Sequence, residues 1–186
     1  MTCGVLLLAA GRSSRFGSDK RQVMINGEPM LLKTLANIRA SGLPVLVCVQ
    51  PNDTFVAGLE GQHLCCNNAS QGMGATLAEG VSKLPNNWTS VLIALADMPY
   101  IKSSTYKAMA ASLRANEIVV PVHKGQRGHP VGFVRKYFSQ LMNLTGDIGA
   151  KNLVQANAHS VFDLLCNDTG ILLDVDKPAD IANKAV

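Results

Sequence analysis

The sequence predicts an α/β protein built in three layers, with a mostly parallel, twisted sheet covered by helices on both faces. Strand-like and helix-like segments alternate from one end of the chain to the other. Several strand-like runs are apolar throughout, which is typical of strands buried on both sides. No linker, repeat or low-complexity stretch interrupts the 186 residues. We therefore expect one domain over residues 1–186.

Hydrophobic spacing and turn residues place the elements in order. For example, Leu31, Leu35 and Ile38 recur at helical spacing, and Ser41-Gly42 ends that helix. Ser103 or Ser104 is expected to cap a later helix. The predicted strands cover residues 3–10, 44–50, 63–66, 90–96, 117–122, 160–165 and 171–175. The predicted helices cover residues 30–40, 53–59, 74–84, 103–115, 135–144, 148–155 and 178–184.

Composition excludes several classes of protein. A hydrophobic content of 47% can build a sizeable core, and the net charge of +4 comes from scattered cations. Scattered cations suit a small anionic ligand better than nucleic acid. No signal peptide is apparent and no apolar run reaches the length of a membrane span. The five cysteines lack metal-ligand spacing, so we expect reduced thiols in a cytoplasmic protein. From the hydropathy and the charge pattern we expect no membrane or nucleic-acid partner.

The most informative segment follows the first predicted strand. It reads Gly-Arg-Ser-Ser-Arg-Phe-Gly-Ser-Asp-Lys over residues 11–20. Glycines let backbone N–H groups approach an anion, and Arg12, Arg15 and Lys20 add the positive charge that a triphosphate needs. Five residues separate Gly11 from Gly17 and no third spaced glycine follows, so neither a Walker A loop nor a dinucleotide fingerprint fits. The segment predicts a different phosphate loop; the alternative is an ordinary strand-to-helix turn with solvated charges.

Aspartates follow two of the predicted strands. Ligands bind at the carboxyl ends of parallel strands, so these side chains are expected near the phosphate loop. Asp97 is placed to hold Mg²⁺, which prefers one or two carboxylates plus phosphate oxygens. Alternatively, it is a turn residue before Pro99. Asp174 or Asp176 could complete the metal site, although Asp176 could instead cap the last helix.

Three more loops carry candidate contacts. Ser70-Gln71-Gly72-Met73-Gly74 could bind a nucleobase and ribose through backbone groups, or serve only as a flexible joint. In residues 125–133, Arg127 and His129 could meet a second anionic substrate, and His129 could equally be a structural hydrogen-bonder. Asp147 could contact substrate or cap the helix after it. No Gly-x-Ser-x-Gly elbow is present, and no Cys/His pairing suggests a covalent nucleophile. A two-carboxylate metal site with a cationic phosphate loop suits in-line attack on a nucleotide phosphate.

These motifs together resemble a known family. Leu8-Ala9-Ala10-Gly11-x-Ser13-x-Arg15-Phe16-Gly17-x-x-Lys20 closely resembles the signature of nucleotidyltransferases with the MobA-like fold. The later motifs follow in the family's order and extend the match over nearly the whole chain; they are Ser70-Gln71-Gly72-Met73-Gly74, Ala96-Asp97-Met98-Pro99, Gly128-His129-Pro130-Val131-Gly132-Phe133, Thr145-Gly146-Asp147-x-Gly149-Ala150-Lys151 and Asp174-x-Asp176-x-Pro178-x-Asp180. They resemble most the molybdenum cofactor cytidylyltransferases, which join CMP from CTP to the molybdopterin cofactor and release pyrophosphate. The resemblance implies a Rossmann-like sheet of the nucleotide-diphospho-sugar transferase type.

The resemblance also implies roles for individual residues, with Mg²⁺ as cofactor. Catalysis would fall to Arg15, Lys20 and Asp97, with the metal on Asp97 and on Asp174 or Asp176. The nucleotide would be bound by Leu8, Ala9, Ala10, Gly11, Ser13, Arg15, Lys20, Ser70, Gly72 and Gly74. The molybdopterin-type acceptor would be bound by Arg127, His129, Pro130 and Asp147.

Two positions bear on specificity. Guanylyl-transferring relatives usually carry glycine at the position of Ala10, which favours CTP here. Arg21 departs from the family, whose members usually carry an apolar residue after the lysine. Arg21 could reinforce phosphate binding or alter the acceptor. The alternatives are a sugar or polyol phosphate acceptor, GTP-dependent guanylyl transfer to molybdenum cofactor, or a non-catalytic accessory that binds the cofactor. The product would pass to a molybdoenzyme or its chaperone.

Overall fold

The computed structural model describes residues 2–11, 19–55, 59, 62–176 and 180. The strands within these ranges are β1 (Thr2–Leu8), β2 (Met24–Ile25), β3 (Glu28–Pro29), β4 (Val45–Val49), β5 (His63–Cys65), β6 (Trp88–Leu95), β7 (Ile118–His123), β8 (Gln126–Arg127), β9 (Val131–Val134) and β10 (Val161–Leu165). The α-helices are α1 (Met30–Arg39), α2 (Met73–Ser82), α3 (Ser103–Ser112), α4 (Phe138–Met142) and α5 (Lys151–Ala156). Short 3-10 turns cover Lys20–Gln22, Ala69–Gln71, Arg135–Tyr137, Ala158–Ser160 and Thr169–Leu172. None of the helices described combines the length and the hydropathy that crossing a membrane requires.

One mixed sheet organises the molecule. Its order is β10-β7-β9-β6-β1-β4-β5, with β8 paired to β7. β1 lies in the interior with β6 and β4 parallel on its two sides, so that Leu8 is level with Leu95 and Cys48. β9 runs antiparallel to β6 and β7. The predicted α/β fold is confirmed, and the carboxyl ends of β1, β4 and β6 meet at one edge.

The core consists of an apolar layer on each side of this sheet. Val5 and Leu7 of β1 face α1 and α3 in one layer. Leu6 and Leu8 face α2 and α4 in the other layer. Because successive strand residues point to opposite faces, a strand covered on both sides has no polar alternation. This explains the continuous apolar run in β1.

The structure adds strands that the pattern did not predict. The β2–β3 hairpin, β8 and β9 fall where turns or loops were expected. β9 is only four residues long and contains Gly132. A Cβ at Gly132 would stand 2.9 Å from Leu113 and 3.0 Å from Leu92, so glycine lets α3 and β6 pack closely against this strand. Short length and an internal glycine hid β9 in the sequence.

Several predicted helices differ in extent. Residues 135–137 form a 3-10 turn before α4, and the helix predicted over 148–155 begins at Lys151. In the predicted helix over 53–59, residues 54–55 form a bend and a turn, and most of the rest lies outside the described residues. The predicted helix over 178–184 also lies outside them, except for Asp180, which is helical.

The predicted strand over residues 171–175 is wrong. Its first residues belong to the 3-10 turn Thr169–Leu172. The backbone groups of this segment bind loops instead of a strand: Ile171 O accepts from His129 N at 3.0 Å, and Val175 N donates to Asp97 O at 2.9 Å. These bonds bring the chain after Val175 to the carboxyl edge of the sheet.

The predicted serine cap of α3 is also wrong. Lys102 is the N-cap residue, and no side chain at that position makes a capping bond. Asp168 caps the helix from a distant segment instead. Its buried carboxylate accepts from Lys102 N at 2.9 Å and from Thr105 Oγ1 at 2.5 Å. It also accepts from Gly170 N at 3.0 Å, which begins the 3-10 turn Thr169–Leu172.

Candidate active site

A cavity of about 520 Å³ opens at the carboxyl edge of β1 and β6. Its size lies in the range typical of small-molecule sites. The loops after β1 and β6, the 3-10 turn Lys20–Gln22, the start of α2 and two later loops contribute to it. The lining residues are Leu8, Ala9, Ala10, Gly11, Lys20, Arg21, Ala69, Ser70, Gly72, Met73, Thr76, Leu95, Ala96, Asp97, Asp147 and Asp176.

Most of the predicted nucleotide contacts meet in this cavity. Those that line it are Leu8, Ala9, Ala10, Gly11, Lys20, Ser70 and Gly72. Arg15 and Ser13, together with Arg12, lie outside the described residues. Gly74 lies just behind the lining, where its N–H donates to Gly146 O at 2.7 Å.

Lys20 lies between two aspartates near the carboxyl end of β6. Its ammonium is 2.6 Å from Asp97 Oδ2 and 3.2 Å from Asp176 Oδ1. Burial alone would lower the pKa of Lys20, but the two carboxylates outweigh it and raise that pKa. Lys20 therefore stays protonated. The bond from Val175 N to Asp97 O holds Asp176 close to Asp97.

Asp97 and Asp176 fit a divalent cation. Asp97 Oδ1 is buried and has no hydrogen-bond partner among the residues described. The ammonium of Lys20 marks the point where a cation is attracted to both carboxylates. Within the described ranges, no group of three His, Cys, Asp or Glu residues is arranged to hold a metal ion. Mg²⁺ commonly takes one or two carboxylates from a protein together with phosphate oxygens and water, and Asp97 and Asp176 match that pattern.

His129 and Asp174 lie beside this pair, outside the cavity lining. Burial lowers the pKa of His129, and Asp97 and Asp174 only partly oppose that shift. His129 Nδ1 is buried and finds no partner in the part of the chain that the structure describes. Asp174 is exposed, two residues before Asp176. Pro130 is buried and follows a cis peptide bond.

The glycine-containing segment 70–74 is joined to the loop around Asp147. Gly72 has a φ of +115°, and a Cβ there would stand 2.5 Å from Gly146 O. The bond from Gly74 N to Gly146 O adds to this contact. Asp147 consequently lines the cavity. It does not cap α5, whose N-cap is Ala150 with no capping side chain.

Arg127 lies elsewhere. It is on β8, where its guanidinium binds Asp163 at 2.7 and 3.0 Å. Both side chains are about half exposed. The sequence predicts no role for the side chains of Met73 and Thr76 and leaves the role of Arg21 open, although all three residues line the cavity. A helical turn counted from Gly72 could have found Thr76, whereas nothing in the sequence names the partners of Arg21.

The fold is shared with solved structures. Rv0371c of Mycobacterium tuberculosis H37Rv superposes with a TM-score of 0.86 at 27% identity, covering 98% of this chain and 96% of that one. The same protein in complex with manganese gives 0.82 at 25% identity, covering 98% and 97%. The α/β fold and a cavity of small-molecule size, with Lys20, Asp97 and Asp176 at the carboxyl edge of the sheet, are those of a nucleotidyltransferase, the class to which the family match assigns the chain.

The family is narrower than this class. Residues 5–161 match the MobA-like NTP transferase domain, and the chain belongs to that family. A probable molybdenum cofactor guanylyltransferase of Nostoc sp. (strain PCC 7120) is 28% identical over 187 residues, covering 95% of this chain and 87% of that protein. The purine catabolism protein PucB of Bacillus subtilis (strain 168) is 27% identical over 194 residues, covering 94% and 92%.

Proposed function

We propose that the protein transfers CMP from CTP to molybdenum cofactor in a Mg²⁺-dependent reaction that releases pyrophosphate. The observation that carries nucleotidyl transfer is the placement of Lys20, Asp97 and Asp176 in one cavity with the backbone of residues 8–11. A cation and two carboxylates around an open pocket suit a metal-bound triphosphate.

The chain's own groups would share the work as follows. Backbone at Ala9, Ala10 and Gly11 orients the nucleotide, and Lys20 turns to its phosphates. Asp97 and Asp176 would hold Mg²⁺, which neutralises phosphate charge when bound. Arg15 would add a second cation, as the family resemblance implies. An oxygen of the acceptor's phosphate attacks the α-phosphorus, a P–O bond forms, and the bond to the bridging oxygen breaks as pyrophosphate leaves.

CTP is proposed because of Ala10. Its side chain is 1% exposed at the wall of the cavity. Gln50 Nε2 donates to Ala10 O at 2.9 Å and fixes that wall. We expect a methyl group at this wall, in place of the hydrogen atom of a glycine, to leave less room for a purine than for the smaller pyrimidine. GTP is the second candidate, because the Nostoc relative is named a guanylyltransferase.

The acceptor is proposed from the relatives and from the later motifs. The name of the Nostoc protein specifies molybdenum cofactor. Asp147 lines the cavity, and His129 is close enough to Asp97 for that carboxylate to influence its pKa, so an acceptor phosphate could enter from that side. A sugar or polyol phosphate acceptor and a non-catalytic accessory role are the outcomes to test against it.

The decisive experiment supplies each of the four nucleoside triphosphates with Mg²⁺ and molybdenum cofactor, and follows pyrophosphate. We expect pyrophosphate release with CTP. In Asp97→Asn we expect the rate of release to fall by at least about a hundredfold, because Asp97 would hold the Mg²⁺ that neutralises the charge of the transition state. Ala10→Gly should increase use of GTP relative to CTP. Preference for GTP in the unmodified protein would overturn the choice of base. Binding without turnover would favour the accessory role.

A further inference from the structure

We propose that Arg21 is a positioning residue that closes the base of the phosphate loop, and that it does not bind phosphate. Arg21 directly follows Lys20 and lines the same cavity. Its location alone would suit a second phosphate cation. Its contacts assign it a different task.

The guanidinium of Arg21 is occupied by protein acceptors on three segments. Nε and Nη2 donate to the Asp19 carboxylate at 2.8 and 2.6 Å. Nη1 donates to Ala9 O at 3.0 Å and to Asp53 Oδ2. The guanidinium also lies 5.9 Å from the centre of the Phe55 ring, which favours a cation. Only 14% of the side chain is exposed.

The charges around Arg21 argue against a phosphate role. Two carboxylates, Asp19 and Asp53, contact one guanidinium, so the cluster carries a net charge of −1. An incoming phosphate would meet this net negative charge and would have to displace a buried carboxylate from its hydrogen bonds. Such a displacement leaves a buried charge unpaired and is costly. Of the two cations that line the cavity among the residues described, Lys20 is the one placed to meet a phosphate.

The contacts explain what Arg21 does. Ala9 directly follows the β1 segment, Asp19 and Lys20 form the far end of the phosphate loop, and Asp53 lies in the loop after β4. One rigid, planar guanidinium therefore fixes the distance between the two ends of the loop. Gln50 holds the next carbonyl, that of Ala10, from the same side. The clamp sets where Lys20 stands relative to the backbone that would orient the nucleotide.

The first test needs no nucleotide. Hydrogen exchange of the free protein should be measured for peptides covering residues 9–22 in Arg21→Lys and Asp53→Asn. Each variant breaks part of the clamp, so we expect exchange there to become about tenfold faster or more in Arg21→Lys, and faster to a smaller degree in Asp53→Asn. Peptides from β6 should be unchanged. Exchange at wild-type rates in both variants would overturn the clamp, even if the protein proves to be an active transferase.

The second test separates positioning from phosphate binding, and it rests on the proposed function. Pyrophosphate is the probe, with its affinity measured by calorimetry alongside kcat for CTP. If Arg21 is a positioning residue, Asp53→Asn and Arg21→Lys should both lower kcat, and Asp53→Asn should not increase the affinity for pyrophosphate. For a phosphate ligand, Asp53→Asn frees the guanidinium and should tighten pyrophosphate. Tighter pyrophosphate binding in Asp53→Asn would therefore overturn the proposal.

Arg135→Lys is the matched control. Arg135 also donates to backbone carbonyls, those of Asn86 and Trp88, at 3.0 and 2.8 Å. It also lies over an aromatic ring, that of Phe138, at 5.6 Å. These contacts are at the amino end of β6, away from the cavity. We expect Arg135→Lys to leave the exchange of residues 9–22 and the affinity for pyrophosphate within twofold of wild type. Equal effects of Arg135→Lys and Arg21→Lys would overturn a local role for Arg21.

Discussion

At the scale of single residues, Lys20 lies between the two carboxylates that we propose as Mg²⁺ ligands. Its ammonium contacts both candidate metal ligands, Asp97 and Asp176. A metal ion arriving alone must displace this ammonium. A metal ion arriving with a triphosphate brings phosphate oxygens to which Lys20 can turn. The geometry therefore favours entry of metal and nucleotide together.

Lys20→Met tests this competition. The substitution removes the positive charge beside the two carboxylates, so free Mn²⁺ should bind about tenfold more tightly. The free energy of this tenfold change is a modest fraction of the Coulomb energy between charges at such distances. Nucleotide affinity should fall, because the substitution removes a positive charge that would bind the phosphates. Paramagnetic resonance titration of Mn²⁺ without nucleotide measures the first effect, with Lys20→Arg as the charge-preserving control. Unchanged or weaker Mn²⁺ binding in Lys20→Met would contradict the competition.

At the scale of elements, Asp168 joins the start of α3 to the 3-10 turn Thr169–Leu172, which lies more than fifty residues after α3 in the chain. Asp168 is 2% exposed, and its carboxylate accepts from Lys102 N, Thr105 Oγ1 and Gly170 N. Asp168→Ala should destabilise the protein by about 3 kcal/mol, because several buried donors lose their acceptor. Urea unfolding measures the loss.

Ser103→Ala is the control for Asp168→Ala. A serine cap was the expectation from sequence, but Ser103 lies within α3 and makes no capping bond. Its replacement should change the free energy of unfolding by less than about 0.5 kcal/mol, as for surface positions without special contacts. A larger loss in Ser103→Ala than in Asp168→Ala would mean that the helix start is stabilised locally.

The difference between these two positions also shows what the sequence could predict. β1, β4 and β6 were predicted because strands buried on both faces carry their own apolar signal. The rule that ligands bind at the carboxyl ends of parallel strands predicted that the loop after β1 and Asp97 lie at the same edge of the sheet. The Asp168 cap, the Arg21 clamp and the contact of Gly72 with Gly146 join segments far apart in sequence. No local pattern encodes such partners, so they became visible only in the folded chain.

At the scale of the whole molecule, acid should weaken the fold through carboxylates that hold separate parts together. Hydrogen bonds from Arg21 lower the pKa of Asp19, and those from Lys136 and Tyr137 lower the pKa of Glu117 to about 2. Glu117 in this way joins the start of β7 to the turn before α4. Both groups titrate below their unfolded values near 4, so between these values the unfolded chain binds more protons than the folded protein.

The sign of the pH dependence follows from this difference. The stability that these carboxylates add is fully present above about pH 5 and is lost as the pH falls towards 2. The Tm should therefore decline steadily between pH 5 and pH 2.5. Glu117→Gln should have a lower Tm than wild type at pH 7, and the gap should narrow to a small fraction of that value by pH 2.5, as the pH approaches the folded-state pKa of Glu117. Because Glu117 is exposed, 0.5 M NaCl should shrink the gap at pH 7 as well. A gap that stays constant over this whole range would show that the Glu117 carboxylate does not connect β7 to the turn before α4 in solution.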